Sequence, residues 1–406
     1  MKKNYAGFLT AAIWGLVLFG LVMISSVSVF ESHKLMVKNH GVAFCEIHNC
    51  NGFYFWKQIK YAVVGVFVFL VGFLTPTGFW KKMALPIFVG TIGLLVVLLV
   101  SSFGADWGTA KSWINIPFLP SIQPSEIAKL AIIFYLAVWM DKKKRAVKTW
   151  ENGFLPFIFL MIPIVVLLAL QPDFGSLLVI MAIATTMFFL AGGNFFHLFL
   201  GGAIAAFLIF LPVLFSHCDG ENRGNFCYIS ERIDAFLGGR DTTTNYQVRQ
   251  SLIAIGSGEI FGVGIGNSAQ RHGWLPEVKS DTIFAAAAEE LGFFRVILLI
   301  GLFAGITFAG LETAKNARNR FEMLVAGGIT AWIAFQAIIN IAVVTKLFPV
   351  TGITLPFISA GGSSLVSLLL ASGILVRIAK FSSPKNENRL SRRRLGRAYF
   401  PRARRR

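Results

Sequence analysis

Long stretches of this chain carry no charge at all. Phe8–Phe30 and Ala84–Val100 each run for 17 residues or more without an Asp, Glu, Lys or Arg. A bilayer's hydrocarbon core is about 30 Å thick, and a helix needs about 20 apolar residues to cross it. A large water-soluble core would break such runs with polar positions at the helical period. Charged residues make up only 14% of the chain, against about 25% in soluble proteins. The reading is an all-α integral membrane protein with ten spans near 8–30, 59–76, 83–103, 124–140, 154–171, 174–192, 195–215, 284–311, 323–345 and 361–380. The first block follows Lys2 and Lys3 as a secretory leader would. It is longer than a leader's apolar core and lacks a small-residue cleavage site, so a retained first helix is expected.

A formal charge of +18 raises the question of nucleic acid, and its placement argues against that class. Much of it sits in Lys142–Arg145 and in the Arg-rich end of the chain, short segments beside apolar blocks. There basic residues fix topology and touch anionic lipid. With the N-terminus inside, Lys81/Lys82, Lys142–Arg145 with Lys148, Lys315/Arg318/Arg320 and the Arg tail all fall on the cytoplasmic side. Both termini are then cytoplasmic. Lys34, Lys38, Lys57 and Lys60 fall in or beside the first outer loop and run against the rule. The division expected is a membrane domain over 1–380 and a basic, disordered cytoplasmic tail over 381–406.

The outer face receives the segments 31–58, 104–123, 216–283 and 346–360. The third, between spans seven and eight, is far longer than an ordinary connection, and loops of that length are usually functional. Tyr246–Ile255 within it has the pattern of a short amphipathic helix. All four cysteines lie on this side, where thiols oxidise, so local disulfides Cys45–Cys50 and Cys218–Cys227 are expected. Four cysteines allow three pairings, and unpaired thiols are the alternative. His48 beside Cys45 and Cys50 matches no standard zinc spacing.

Polar clusters gather where the spans meet the outer face. In Trp107–Lys129, Pro124 suits a first helical turn, and Glu126 and Lys129 are three apart on one face. An ion pair at a helix start explains both; so does a site, because ionisable groups near membrane depth tend to line one. Gln171-Pro172-Asp173-Phe174-Gly175 reads as a tight turn with Asp173 as turn or cap residue. Gly262, Gly264 and Gly266 alternate, but no strand precedes them, so a nucleotide fold is not supported. Asp281, just before an apolar span, is a cap or a site residue. Glu289 and Glu290 are two acids hard to justify by packing. In Thr351–Ser364, backbone N–H groups opening the last span can hold a phosphate or simply cap a helix.

In this order and at these positions, QPSEIAK, QPDFG, LPEVKSD, AEELG and TGITLPFISAGGSS resemble the SEDS polymerases, the RodA/FtsW group. YQVRQSLIAIGSG, GVGIGNSAQR and GTAKSWI are more similar to the cell-division branch, FtsW, than to the elongation branch. The resemblance covers nearly the whole chain. It implies a peptidoglycan glycosyltransferase at the bacterial cytoplasmic membrane and the division septum. Such an enzyme polymerises lipid II into glycan strands by inverting transfer, forming β-1,4 links and releasing undecaprenyl pyrophosphate. It implies a class B penicillin-binding protein and other divisome proteins as partners, with no organic cofactor. Three departures stand out: Ala360 replaces an aromatic, Thr282 a Phe, and Phe294-Arg295 stands where a Gly often follows.

An inverting displacement needs one general base at the attacking hydroxyl and positive charge at the departing phosphates. The resemblance puts the base on Asp281. Lys129, with Arg249 or Lys111, would offset pyrophosphate charge, and Glu126 would orient Lys129 or help hold a Mg²⁺ or Mn²⁺ ion. Trp113, Gln123, Ser125, Gln171, Asp173, Glu277, Glu290, Ser359, Gly361, Gly362 and Ser363 complete the candidate substrate contacts. A flippase for lipid-linked sugars would need ionisable residues spread through the spans, whereas here they gather at the outer end. A non-catalytic division scaffold leaves Glu126, Lys129 and Asp281 without a purpose.

Overall fold

The computed structural model describes residues 4–47, 50–100, 104–107, 110–114, 122–194, 196–197, 199–202, 230, 232–233, 235–237 and 243–382. Its order is α1 (Tyr5–Val27), α2 (Val29–His40), α3 (Val42–Ile47), α4 (Phe53–Leu74), α5 (Thr77–Val100), β1 (Gly104–Trp107), β2 (Ala110–Ile114), α6 (Pro124–Lys143), α7 (Leu155–Leu170), α8 (Phe174–Leu190), α9 (Thr243–Ser257), α10 (Ile283–Lys315), α11 (Arg320–Val344) and α12 (Gly362–Phe381). Nine of the ten expected spans therefore form helices. The seventh, 195–215, falls mostly outside the described residues, as do Cys218, Cys227 and the tail from 383.

The spans bury opposite faces to different degrees. α11 and α12 are enclosed along most of their length, with Trp332 fully buried. α4 and α5 instead leave Val63, Phe67, Leu74, Leu85 and Val97 exposed, as lipid-facing helices do. α4 packs along α12, α10 along α11, α5 along α6, and α11 also against α6 and α8. Small residues allow the closest approaches. A Cβ on Gly373 would stand 2.2 Å from Phe69 O, and one on Gly72 2.5 Å from Leu370 O.

The two ends of the bundle differ in chemistry. At one end Lys81 pairs with Asp141 (2.7 Å), Arg320 donates to Ala191 O (2.7 Å), Arg377 donates to Phe73 O (2.7 Å), and Thr77 donates to Glu322 (2.8 Å). The other end carries α2, α3, the hairpin, α9 and the segments 258–282 and 346–361. We call it the site end.

Several boundaries differ from expectation. Lys81 and Lys82 lie inside α5, and Lys57 inside α4, because neither helix stops at its lysines. The loop after the first span is itself helical and is closed by the disulfide Cys45–Cys50. The outer loop 104–123 contributes an antiparallel hairpin, the one sheet among the described residues. Helix α9 extends the expected amphipathic segment to Thr243–Ser257, with Val248, Ser251 and Ala254 turned inward.

α10 is two helices joined at a kink. Gly292, with φ 77° and ψ 175°, sits in a region open essentially only to glycine. The break frees carbonyls and amides, and the glycine-rich segment takes them up. Val263 N donates to Glu289 O (3.0 Å) and Gly264 N to Glu290 O (3.1 Å), while Phe293 N donates to Glu259 O (3.0 Å). Residues 283–291 are wholly enclosed, and lipid-facing side chains begin at Phe293.

Candidate active site

Asp281 stands at the junction of three elements, on a backbone that cannot easily move. Asn340, on α11, donates from one amide to both Asp281 O (2.8 Å) and Ile353 O (2.7 Å). Ser359 Oγ donates to Ser280 O and accepts from Leu355 N (2.8 Å), and Ala360 N donates to Lys279 O (2.8 Å). Thr282, in the place of the expected Phe, donates to Pro276 O (2.8 Å) and closes the turn from within. The loop before α10 and the loop before α12 are thus sewn into one platform.

The half-buried Asp281 carboxyl projects from that platform. Ser280 Oγ lies 3.3 Å from Oδ1, and the Gln247 side chain reaches it from α9. Gly352, at φ 71°, leaves Oδ2 room: a Cβ there would stand 4.0 Å away. Burial, and then repulsion from the Glu277 carboxylate, push the Asp281 carboxyl up to about 6, against the hydrogen bonds that favour its charge. A carboxylate so placed is poised near neutral pH, where a general base works best. Glu277 is exposed, at φ 50°, and accepts from Ser280 Oγ at 2.9 Å.

Beneath the platform lies a buried polar column. Lys129 Nζ donates to Glu126 Oε1 (2.8 Å) and Gln336 Oε1 (3.2 Å), and sits 5.3 Å from the Trp332 ring centre. Trp332 Nε1 donates to the same Gln336 oxygen (2.7 Å), and Gln336 Nε2 donates to Thr354 O (3.0 Å). Trp332, Gln336 and Asn340 follow one another at four-residue spacing up one stripe of α11. They carry the Glu126–Lys129 pair to the underside of the Asp281 loop. Lys129 is 2% exposed; its ammonium supports the platform from below and does not open onto the surface.

The remaining candidates fall into separate groups. Gln123 reaches Asp173 (3.4 Å), Asp173 caps α8 by accepting from Ser176 N (3.1 Å), and Ser176 bonds Ser125 (3.1 Å). Gly175 brings this edge against the platform, since a Cβ on it would lie 2.7 Å from Thr351 O. Gln171 donates to Leu95 O (2.8 Å) and faces inward. Glu290 accepts from Ser26 (2.5 Å), and Glu289 from Ser268 and Ala269 N (3.0 Å), so both acids anchor the glycine-rich segment and α1. Gly361 caps α12, Gly362 packs on Tyr61, and Ser363 Oγ is buried with no hydrogen-bond partner among the described residues. Lys111 and Trp113 lie on β2, and Arg249 is exposed on α9.

Gln336, Asn340, Gln247 and Arg232 were not among the residues singled out from the sequence. Arg232 donates to Val350 O (2.6 Å), tying the long loop to the platform. The first two carried a readable signal: amides four apart in the middle of an apolar span. Among the described residues no three of His, Cys, Asp and Glu converge as metal ligands.

A bundle of membrane helices holding a half-buried carboxylate above a buried polar column at its end defines a multi-pass membrane protein with an enzyme-like site. The chain belongs to the FtsW/RodA/SpoVE family of cell cycle proteins, whose model matches residues 8–384. It is 37% identical over 389 residues to the probable peptidoglycan glycosyltransferase FtsW of Bacillus subtilis, covering 94% of this chain and 92% of that one. The corresponding FtsW of Geobacter metallireducens is 35% identical over 362 residues, covering 89% and 91%. Stage V sporulation protein E of Bacillus subtilis is 34% identical over 370 residues, covering 89% and 97%. Among solved structures, a chain of a peptidoglycan synthase complex that coordinates polymerization and crosslinking superposes with a TM-score of 0.72 at 23% identity, covering 92% and 96%. The rod shape determining protein RodA of Thermus thermophilus gives 0.63 at 23%, covering 93% and 97%. The two structures share the fold.

Proposed function

We propose that this protein polymerises lipid II into peptidoglycan strands outside the cytoplasmic membrane, in septal wall synthesis, and that Asp281 is the general base. The observation that carries the reading is the Asp281 carboxyl: half-buried and raised toward neutrality, on a backbone held by Asn340 at Asp281 O and by Ser359 at Ser280 O at the end of the bundle. Its family membership supplies the reaction class.

The chemistry is a single displacement. Asp281 accepts the proton of the acceptor GlcNAc 4-hydroxyl as its oxygen attacks C1 of the donor MurNAc. The C1–O bond to the lipid pyrophosphate breaks, its electron pair leaves on the phosphate, and α becomes β. The departing charge needs cations. Arg232 beside Val350, the exposed Arg249 on α9 and Lys111 on β2 are candidates at this end. Lys129 contributes through Gln336 and the Thr354 backbone. Mg²⁺ or Mn²⁺ fits hard carboxylate ligands shared with substrate phosphates. The exposed Glu277 would hold it with the substrate's phosphate oxygens, leaving Asp281 free as the base, and it would offset pyrophosphate charge. A class B penicillin-binding protein is the partner expected to crosslink the strands.

The test is to supply lipid II to the purified protein with and without such a partner, then digest the product with a muramidase. Glycan strands with β-1,4 links support the reading. Absence of polymer even with the partner, or retained configuration, would overturn it.

A further inference from the structure

On the face of α4 turned away from the candidate site, a pocket of about 380 Å³ opens at the site end, lined by Met36 of α2, Cys50 of the disulfide and Phe53, Trp56, Lys57 and Lys60 of α4. Gln58, on the opposite face, donates to Ser359 O (3.4 Å), so the pocket and the platform sit back to back on one helix. Neither lysine has an ion-pair partner among the described residues, and Lys57 also lies in the repulsive field of Lys279. The nearby Lys279 is already satisfied: burial disfavours its charge, but the Glu31 carboxylate beside it more than offsets this and holds the ammonium above the usual lysine range.

Two cations without an ion-pair partner among the described residues, at the end of a span on the outer side, run against the positive-inside rule, and such an arrangement calls for an anion. Their surroundings say which kind. Trp56 is 62% exposed beside them, as an aromatic at a membrane–water boundary would be. Below them the same stripe of α4 continues through Val64, Phe67, Val71 and Leu74, all exposed and apolar. Phosphate-binding charge above an apolar runway matches a molecule with a charged head and a long hydrocarbon tail.

We propose that this pocket is a binding site for an anionic phospholipid of the outer leaflet, its headgroup phosphate between Lys57 and Lys60 and an acyl chain along Val64, Phe67 and Val71. A bilayer phospholipid fits better than the carrier-linked substrate, whose headgroup would here face away from Asp281. The disulfide turn at Cys50 forms one wall and fixes the pocket's shape.

The test is native mass spectrometry of the purified full chain in detergent, titrated with phosphatidylglycerol, phosphatidylcholine or undecaprenyl pyrophosphate. The double variant Lys57→Gln/Lys60→Gln should lose phosphatidylglycerol affinity at least about 5-fold and leave phosphatidylcholine unchanged. Lys34→Gln/Lys38→Gln, which removes the same charge from the exposed face of α2, should keep it. Equal binding by wild type and the pocket variant overturns the proposal. So does equal loss in both variants, which would mean diffuse surface charge, and so does loss confined to undecaprenyl pyrophosphate. Unchanged melting of both variants shows that the readout is not misfolding.

Discussion

Asp281 illustrates how one side chain can be given a working pKa by its neighbours. Burial raises it first and the Glu277 carboxylate second. A base must be ionised to accept a proton, so polymerisation by the wild type should fall on the acid side through about pH 6. Glu277→Gln removes one of the two effects that raise the pKa, so the acid limb should move to lower pH. A limb that stays in place, measured as rate against pH, would detach Glu277 from the titration. Lys129 poses a different problem at the same scale. Buried against Glu126, it is costly to strand: Lys129→Met alone should destabilise by about 3–5 kcal/mol, because a carboxylate is left enclosed without its partner. Replacing both, as Glu126→Gln/Lys129→Met, should cost less. Melting in detergent distinguishes the two outcomes, and a larger loss in the double variant would contradict the pairing. The sequence made Glu126 and Lys129 conspicuous by type and spacing, but not their depth. Depth depends on α11 crossing over them, which no local pattern records.

At the scale of elements, the kink in α10 does most to position the site. It turns a helix that would run straight into a short enclosed half, 283–291, and a lipid-facing span. Glu289 and Glu290 then accept bonds from the glycine-rich segment and α1 rather than face a substrate. Gly292→Ala should be severely destabilising: its Cβ would meet Gly262 N at 2.2 Å, in a conformation that L residues avoid. Expression and thermal melting check this, and a fully stable Gly292→Ala would contradict the kink. The spans themselves were legible because charge-free runs of bilayer length admit few alternatives. Their ends were less so. Lys57, Lys81 and Lys82 look like loop residues by charge, yet lie within α4 and α5, since long lysine stems lie along an apolar surface while the ammonium stays wet. The Cys45–Cys50 pair was readable from spacing and compartment. The two-stranded hairpin was not, because four- and five-residue strands leave little periodicity to detect.

The whole molecule is polar along its long axis. Lys81, Arg320 and Arg377 gather at one end, and Asp281, Glu277, Gln247 and the disulfide at the other. The charge rule predicts that the first end faces the cytoplasm. A membrane-impermeant thiol reagent should therefore label Glu277→Cys in intact cells above the background of the unsubstituted chain. It should reach Glu312→Cys only after permeabilisation, and the reverse pattern would invert the topology. Positions on a helix were readable one segment at a time, but the convergence of α6, α8, α9, α11 and the loop before α12 on the platform that carries Asp281 exists only in three dimensions. That convergence is the centre of the account. Polymerisation of lipid II by purified wild type and by Asp281→Asn, each with the partner present, tests it most directly. Asn keeps the size of Asp and removes the base, so the account predicts strands from the wild type and at least a hundredfold loss in a variant that still melts as wild type does. An Asp281→Asn protein that polymerises at the wild-type rate would contradict it.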